Sequence, residues 1–92
     1  MSDAITTDQV PQLNTMFRLQ WEQAQDCYVL LYPEGMVKLN GPAGEILSRV
    51  DSKRSVADIC QLLSEKFPEA GDISGDIVEF LTEAQRQRWV TF

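Results

Sequence analysis

The sequence predicts an α+β domain in which a three-stranded antiparallel sheet is followed by three helices. Between residues 16 and 39, apolar side chains alternate with polar ones or form short runs, as they do in strands. From Ala43 onward they recur at the three- and four-residue spacing of a helix face. Because three short strands cannot bury their apolar face alone, we expect the helices to cover it.

The first predicted strand covers residues 16–21, in which Phe17, Leu19 and Trp21 share one face and polar side chains occupy the other. This alternation is typical of a half-buried strand. The polar residues 22–26 then form a connector of ordinary loop length.

A hairpin follows, because two strand-like segments flank a turn. Cys27–Tyr32 is an apolar and aromatic run, and residues 36–39 form the third predicted strand. Pro33 suits an early turn position, and Gly35 can adopt positive φ. No later segment is an obvious partner for the third strand, so we expect its outer edge to keep backbone donors and acceptors free. That edge could accept a guest strand or pair with a second copy in a homodimer.

Cap and turn residues bound the three helices. Asn40 or Gly41 can cap the first helix, Ser55 and Asp58 form a capping pair for the second, and Ser74 is the predicted N-cap of the third. The inward stripes are Ala43, Ile46, Leu47 and Val50 in the first helix, Val56, Ile59, Cys60, Leu63 and Phe67 in the second, and Ile77, Phe80, Leu81 and Ala84 in the third. Strands followed by such helices predict a shape like that of a winged helix-turn-helix.

The chain divides into two parts. Residues 1–15 are polar, include Pro11 and show neither helical nor strand periodicity, so we expect a flexible N-terminal tail. Residues 16–92 form the single predicted domain. The sequence shows no signal peptide and no apolar run long enough to cross a membrane, which favours a cytoplasmic protein without membrane association.

The charge of the chain bears on its partners. Fourteen acidic and eight basic residues give a formal charge of −6, which repels nucleic acid and anionic membrane surfaces and favours basic or apolar partners. A winged helix-turn-helix shape raises a DNA-binding regulator as an alternative function. The predicted second and third helices are neutral to acidic, however, and a groove-reading helix needs Lys and Arg.

Residues for catalysis or metal binding are scarce. The chain has no histidine and no CxxC pair, and Cys27 and Cys60 lie in apolar patterns, which predicts two reduced and buried thiols. Glu79 and Glu83 are better interpreted as solvated helix charges than as an acid–base pair. We therefore expect no enzymatic activity, no metal and no cofactor.

The sequence also resembles a known family. The residues that carry the likeness are Leu30-Leu31-Tyr32-Pro33-Glu34-Gly35, Leu39-Asn40, Ala43, Glu45-Ile46-Leu47, Asp51, Arg54-Ser55, Asp76-Ile77 and Phe80-Leu81. Together they closely resemble the PqqD family over residues 17–90. Two positions depart from its pattern, since Ser52 and Arg88 stand where that family commonly has glycine. Both positions are expected to need positive φ, which costs a non-glycine residue about 1 kcal/mol.

The resemblance implies a peptide chaperone of pyrroloquinoline quinone (PQQ) biosynthesis. Such a protein binds the ribosomal precursor peptide PqqA and presents it to the radical SAM enzyme PqqE, which cross-links Glu and Tyr side chains of the peptide. The peptide is expected to add as a strand beside residues 36–39, in a groove walled by the helix at residues 75–88. The implied peptide-binding residues are Met36, Val37, Lys38, Leu39, Ile77, Phe80, Leu81, Ala84, Arg86 and Arg88. A direct PQQ-binding carrier is a further alternative, because Trp21, Tyr28, Tyr32 and Trp89 could stack on a quinone, although aromatic side chains in strands more often pack in the core.

Overall fold

A three-stranded antiparallel sheet and three α-helices form the body of the fold, which confirms the predicted class. The computed structural model describes residues 5–92, so the first four residues of the predicted tail lie outside the described range. The strands are β1 (Gln12–Leu13), β2 (Arg18–Glu22), β3 (Cys27–Tyr32), β4 (Gly35–Lys38) and β5 (Val90–Thr91); the helices are α1 (Gly41–Leu47), α2 (Val56–Lys66) and α3 (Ser74–Arg86), with a 3-10 turn at Pro68–Ala70. The sheet has the order β2-β3-β4, and β1 pairs separately with β5.

The hairpin that joins β3 and β4 is tighter than the sequence predicts. Tyr32 pairs with Gly35, so the turn contains only Pro33 and Glu34. β4 therefore starts one residue earlier than expected. The predicted strand β3 has the bounds that the sequence gives it.

The helix caps agree with the sequence at α1 and α2 but not at α3. The Asn40 side chain accepts a hydrogen bond from the Ala43 N–H (2.8 Å), and Ser55 and Asp58 form a reciprocal capping box. At α3 the predicted N-cap is wrong, because Ser74 is the first helical residue. Its N–H donates to the carboxylate of Asp72 (3.0 Å), an acceptor that replaces the serine hydroxyl at this helix start.

Two adjoining apolar clusters make up the core. One joins α1, α2 and α3 through Ile46, Val56, Ile59, Cys60, Leu63, Ile77 and Leu81. The other, here the sheet cluster, consists of Leu30, Leu39, Ala43, Leu47, Ala84 and Val90 and joins the sheet to α1, α3 and β5. Phe80 and Val50 pack against both clusters. The inward stripes predicted for the helices are therefore confirmed.

The segment at residues 5–13, here the N-terminal strap, differs from the predicted tail of residues 1–15. Its last two residues are β1, which pairs with β5, and Pro11 is fully buried. The Gln9 carbonyl oxygen accepts a hydrogen bond from the Val56 N–H at the start of α2 (2.9 Å). The sequence misses these contacts because each joins residues far apart in the chain and leaves no local periodicity.

Two turns carry the backbone geometry that the sequence predicts. Ser52 has φ 66° and Arg88 has φ 65°, both in the left-handed region that glycine adopts most easily. Ser52 lies in the turn between α1 and α2, and Arg88 lies between α3 and β5. The expectation that both positions need positive φ is confirmed.

Candidate functional site

The outer edge of β4 carries free backbone groups. β4 pairs with β3 on one side, and no strand within residues 5–92 pairs with its other side. Along the ladder, the Leu39 N–H donates to the Tyr28 carbonyl oxygen (3.0 Å). Because hydrogen-bonded pairs alternate in an antiparallel ladder, Val37 bonds toward Leu30 on β3.

The same alternation turns Met36 and Lys38 outward. Each of these residues directs its N–H and its C=O away from β3. The edge thus offers two donors and two acceptors to an incoming strand, in the spacing that an antiparallel or parallel guest requires. The sequence predicts the free edge but not which residues face it, since that depends on the register with β3.

The side chains of β4 divide between the two faces of the sheet. Val37 faces inward and packs against the sheet cluster. Met36, which is 53% exposed, and Lys38 lie on the opposite face, across from Leu31 and Val29. An apolar contact from this edge is therefore available on both faces, from Val37 on the side of the helices and from the exposed Met36 on the other side.

Helix α3 lies against the same cluster. Phe80 is half-buried and, like Val37, packs against the sheet cluster, so both β4 and α3 contribute an accessible apolar side chain there. The exposed face of α3 forms a shallow concavity of about 550 Å³ next to Phe80. Its lining residues are Asp76, Glu79, Phe80, Thr82, Glu83 and Arg86.

This face of α3 is negatively charged. Three carboxylates line the concavity, and Arg86 is the one cation among the lining residues. Arg86 forms an ion pair with Glu83 at 3.3 Å, which leaves Asp76 and Glu79 to dominate the local field. The predicted site residues omitted these carboxylates, although their spacing along one helix face was visible in the sequence.

The other predicted site residues lie in the core or beyond the helix. Four of them are at most 4% exposed: Leu39, Ile77, Leu81 and Ala84. Leu39 and Ala84 belong to the sheet cluster, against which Val37 and Phe80 both pack, whereas Ile77 and Leu81 belong to the cluster between the helices. Arg88 follows α3, and its carbonyl oxygen accepts a hydrogen bond from the Asn14 side-chain amide (2.8 Å). The structure therefore places Val37 and Phe80 on one apolar cluster, whereas the backbone of Arg88 is hydrogen-bonded in the turn before β5.

Groups for chemistry are few in the described part of the chain. No group of three or more His, Cys, Asp or Glu side chains within residues 5–92 is arranged to hold a metal ion. Both cysteines are free thiols, and Cys60 is buried as predicted, whereas Cys27 is only partly buried. Burial raises the pKa of the Cys60 thiol above its ordinary value, which opposes formation of a thiolate. No helix in this range is long and apolar enough to cross a bilayer.

The edge of β4 is open, and its inward side chain shares an apolar cluster with a half-buried aromatic side chain. On a small winged-helix-like fold, this arrangement defines the class of interaction domains that offer a sheet edge. Comparison with known proteins specifies the family. The family model described as "Coenzyme PQQ synthesis protein D (PqqD)" matches residues 27–90. The chain belongs to the PqqD family.

Relatives and solved structures agree with this assignment. The chain is 53% identical over 85 residues to a protein of Azotobacter vinelandii named "PqqA binding protein", and the match covers 92% of each chain. A protein of the same name from Pseudomonas aeruginosa is 58% identical over 83 residues, covering 90% of each. The solution structure of the PqqD part of Methylobacterium extorquens PqqCD, described as a stand-alone recognition element for ribosomally synthesized and post-translationally modified peptides, matches with a TM-score of 0.77 and 28% identity over 97% of this chain and 96% of that one. The crystal structure of PqqD from Xanthomonas campestris matches with a TM-score of 0.57 and 35% identity, over 96% and 99%.

Proposed function

We propose that the protein is a non-catalytic peptide chaperone of PQQ biosynthesis, which binds the precursor peptide PqqA as a strand along β4 and presents it to the radical SAM enzyme PqqE. The observation that carries the proposal is the free edge of β4, whose inward residue Val37 packs against the same cluster as Phe80. The names of the A. vinelandii and P. aeruginosa relatives support PqqA as the peptide. Because the precursor is a ribosomal product, we place the exchange in the cytoplasm.

The backbone supplies most of the peptide's affinity. The N–H and C=O groups of Met36 and Lys38 can form four hydrogen bonds with a guest strand, each with a net value of about 1 kcal/mol. These bonds tolerate many sequences. Alternate side chains of the guest then share the face of Val37 and lie toward Phe80, where each buried apolar side chain adds about 2 kcal/mol.

The losses on binding bring the affinity to a moderate value. Ordering a flexible peptide costs about 2–5 kcal/mol, and association costs several more. Because these costs offset most of the gain, we expect a dissociation constant no tighter than the order of micromolar. The carboxylates of α3 add a preference for peptides that place a basic side chain next to the bound strand.

The alternatives of DNA binding and of quinone carriage gain no specific support. The exposed face of α3 is anionic where a DNA-reading helix needs cations. Of the four aromatic residues that could stack on a quinone, only Trp21 is exposed, at 49%, and it lies in an open concavity rather than an enclosed pocket.

An NMR titration of ¹⁵N-labelled protein with unlabelled PqqA tests the proposal. We expect the largest amide shifts at Met36, Lys38 and the exposed face of α3 around Phe80. An unlabelled peptide of the same composition in scrambled order is the control. Shifts confined to β2 or α2 would place the peptide elsewhere and contradict strand addition to β4.

A further inference from the structure

A second concave surface lies at the opposite edge of the sheet. β2 and β4 are the two outer strands, and Trp21 on β2 is 49% exposed. The Trp21 ring contacts Tyr28 on β3 edge to face, with ring centroids 5.0 Å apart. A concavity of about 660 Å³ extends from these rings to α1, α2 and the turn between them. We call it the Trp21 face, formed chiefly by Trp21, Tyr28, Glu45, Arg49, Arg54 and Lys66.

The Trp21 face is positively charged in a protein with a formal charge of −6. The Arg49 guanidinium and the Lys66 ammonium group both contact the Glu45 carboxylate, at 2.8 and 3.0 Å. One carboxylate cannot neutralise two cations, so one positive charge remains. Arg54 also lines the face with a side chain that is 42% exposed, but it forms an ion pair with Asp51 at 3.3 Å and so adds a cationic group without adding to this excess.

The charges of the protein are therefore sorted by surface. The concavity on α3 has three carboxylates and one cation, whereas the Trp21 face has three cations and one carboxylate. A basic peptide is attracted to α3 and an acidic one to the Trp21 face. The two surfaces thus suit partners of opposite charge.

Shape and composition indicate a protein partner at the Trp21 face. An exposed tryptophan alone is common on protein surfaces and carries no inference. Here the indole lies inside a concavity with arginine side chains, and Trp and Arg are the residue types that dominate the energetics of protein interfaces. The concavity is too open to bury most of a small molecule, as small-molecule sites do.

We propose that the Trp21 face docks the acidic surface of a second protein, one that presents an apolar side chain among carboxylates. The apolar side chain would pack on Trp21, and the carboxylates would bind Arg54 and the cations that share Glu45. That this second protein is the enzyme that receives the peptide rests on the proposed function. The arrangement leaves β4 and α3 free to hold the peptide while the enzyme is bound.

Binding of purified PqqE to variants of the full chain, measured by calorimetry, tests the inference. Trp21→Ala and Arg54→Glu are each expected to weaken PqqE binding about tenfold or more. Arg18→Glu is the matched control, because Arg18 lies on β2 but faces the other side of the sheet, and we expect it to retain wild-type affinity within about twofold. Glu45→Gln frees both cations and is expected to tighten binding about twofold to fivefold.

The affinity of each folded variant for PqqA alone is measured in parallel. Unchanged PqqE binding by Trp21→Ala and Arg54→Glu would overturn the inference, and so would equal weakening by Arg18→Glu, which would indicate unspecific charge attraction. Loss of PqqA binding by the Trp21 and Arg54 variants would also overturn it, because the face would then belong to the peptide site. Failure of the wild-type protein to bind PqqA contradicts the proposed function instead.

Discussion

Replacement of Lys38 by proline tests strand addition at the level of one backbone group. The Lys38 N–H points to the free edge of β4, so the substitution removes a donor to the guest strand without breaking a bond to β3. Edge strands tolerate proline at such positions, and Val37 already has the extended conformation that precedes proline. We therefore expect the variant to fold.

The expected loss combines three contributions. The missing hydrogen bond accounts for about 1 kcal/mol, and the guest carbonyl left without a donor accounts for about 1–2 kcal/mol more. The pyrrolidine ring also prevents close approach of the guest backbone. A total of about 3 kcal/mol weakens PqqA binding on the order of a hundredfold.

Calorimetry with PqqA measures this loss, after circular dichroism has shown that each variant is folded. Lys38→Ala is the control, because it removes the side chain and keeps the N–H; we expect its affinity to stay within about threefold of wild type. The sequence alone predicts that Val37→Pro acts like Lys38→Pro. The structure separates them, since the Val37 N–H bonds toward Leu30 and its loss should destabilise the hairpin itself. A folded Lys38→Pro variant that binds PqqA as tightly as wild type would refute strand addition at this edge.

Three other predictions concern stability and selectivity. Ser52→Gly should raise the free energy of unfolding by about 0.5–1 kcal/mol, because Ser52 has positive φ. The adjacent control Lys53→Gly should lower it, and urea denaturation that ranks the two variants in the opposite order would contradict the strain argument. Burial raises the pKa of Glu45, but the hydrogen bond and charge of Lys66 and the charge of Arg49 lower it more, to a value below 4.5. The stability that results is present above pH 4.5 and is lost as the pH falls through the lowered pKa. This loss should be missing from the pH profile of Glu45→Gln, and identical profiles of the variant and the wild type would disprove it. At physiological salt we expect no sequence-specific shift of DNA in a gel at micromolar protein. A sequence-specific shift would support the alternative of a DNA-binding protein.

Elements with a local signal could be predicted from the sequence. The apolar run at Cys27–Tyr32, the Asn40 cap and the Ser55–Asp58 capping box each depend on neighbouring residues only, and each has the predicted position. The predicted cap of α3 is wrong, because Ser74 suits an N-cap but is the first helical residue, and its N–H donates to the carboxylate of Asp72. The pairing of β1 with β5 joins segments that lie far apart in the chain, so no local sequence pattern predicts it.

The candidate site shows the same limit. Apolar periodicity places Ile77, Phe80, Leu81 and Ala84 on the inner face of α3, but it does not tell a core side chain from one at the rim. Only packing distinguishes Phe80, which is half-buried, from Leu81, which is fully buried. The direction of the β4 backbone groups likewise requires the register with β3.

The N-terminal strap has a consequence for the order of folding. Its contacts with α2 and β5 close a loop that contains almost the whole chain, whereas the β3–β4 hairpin closes over two residues. Contacts between distant segments bear the larger loop-closure entropy before they gain any stability, so the strap should close last and open first. The amide of Asn14, which directly follows the strap and bonds to the Trp89 carbonyl oxygen, should then exchange with solvent through a partial opening that leaves the Leu30 amide protected. Equal exchange rates at the two amides would show that the strap and the sheet open as one unit. Because the strap lies outside the β2-β3-β4 sheet, its opening leaves the free edge of β4 assembled.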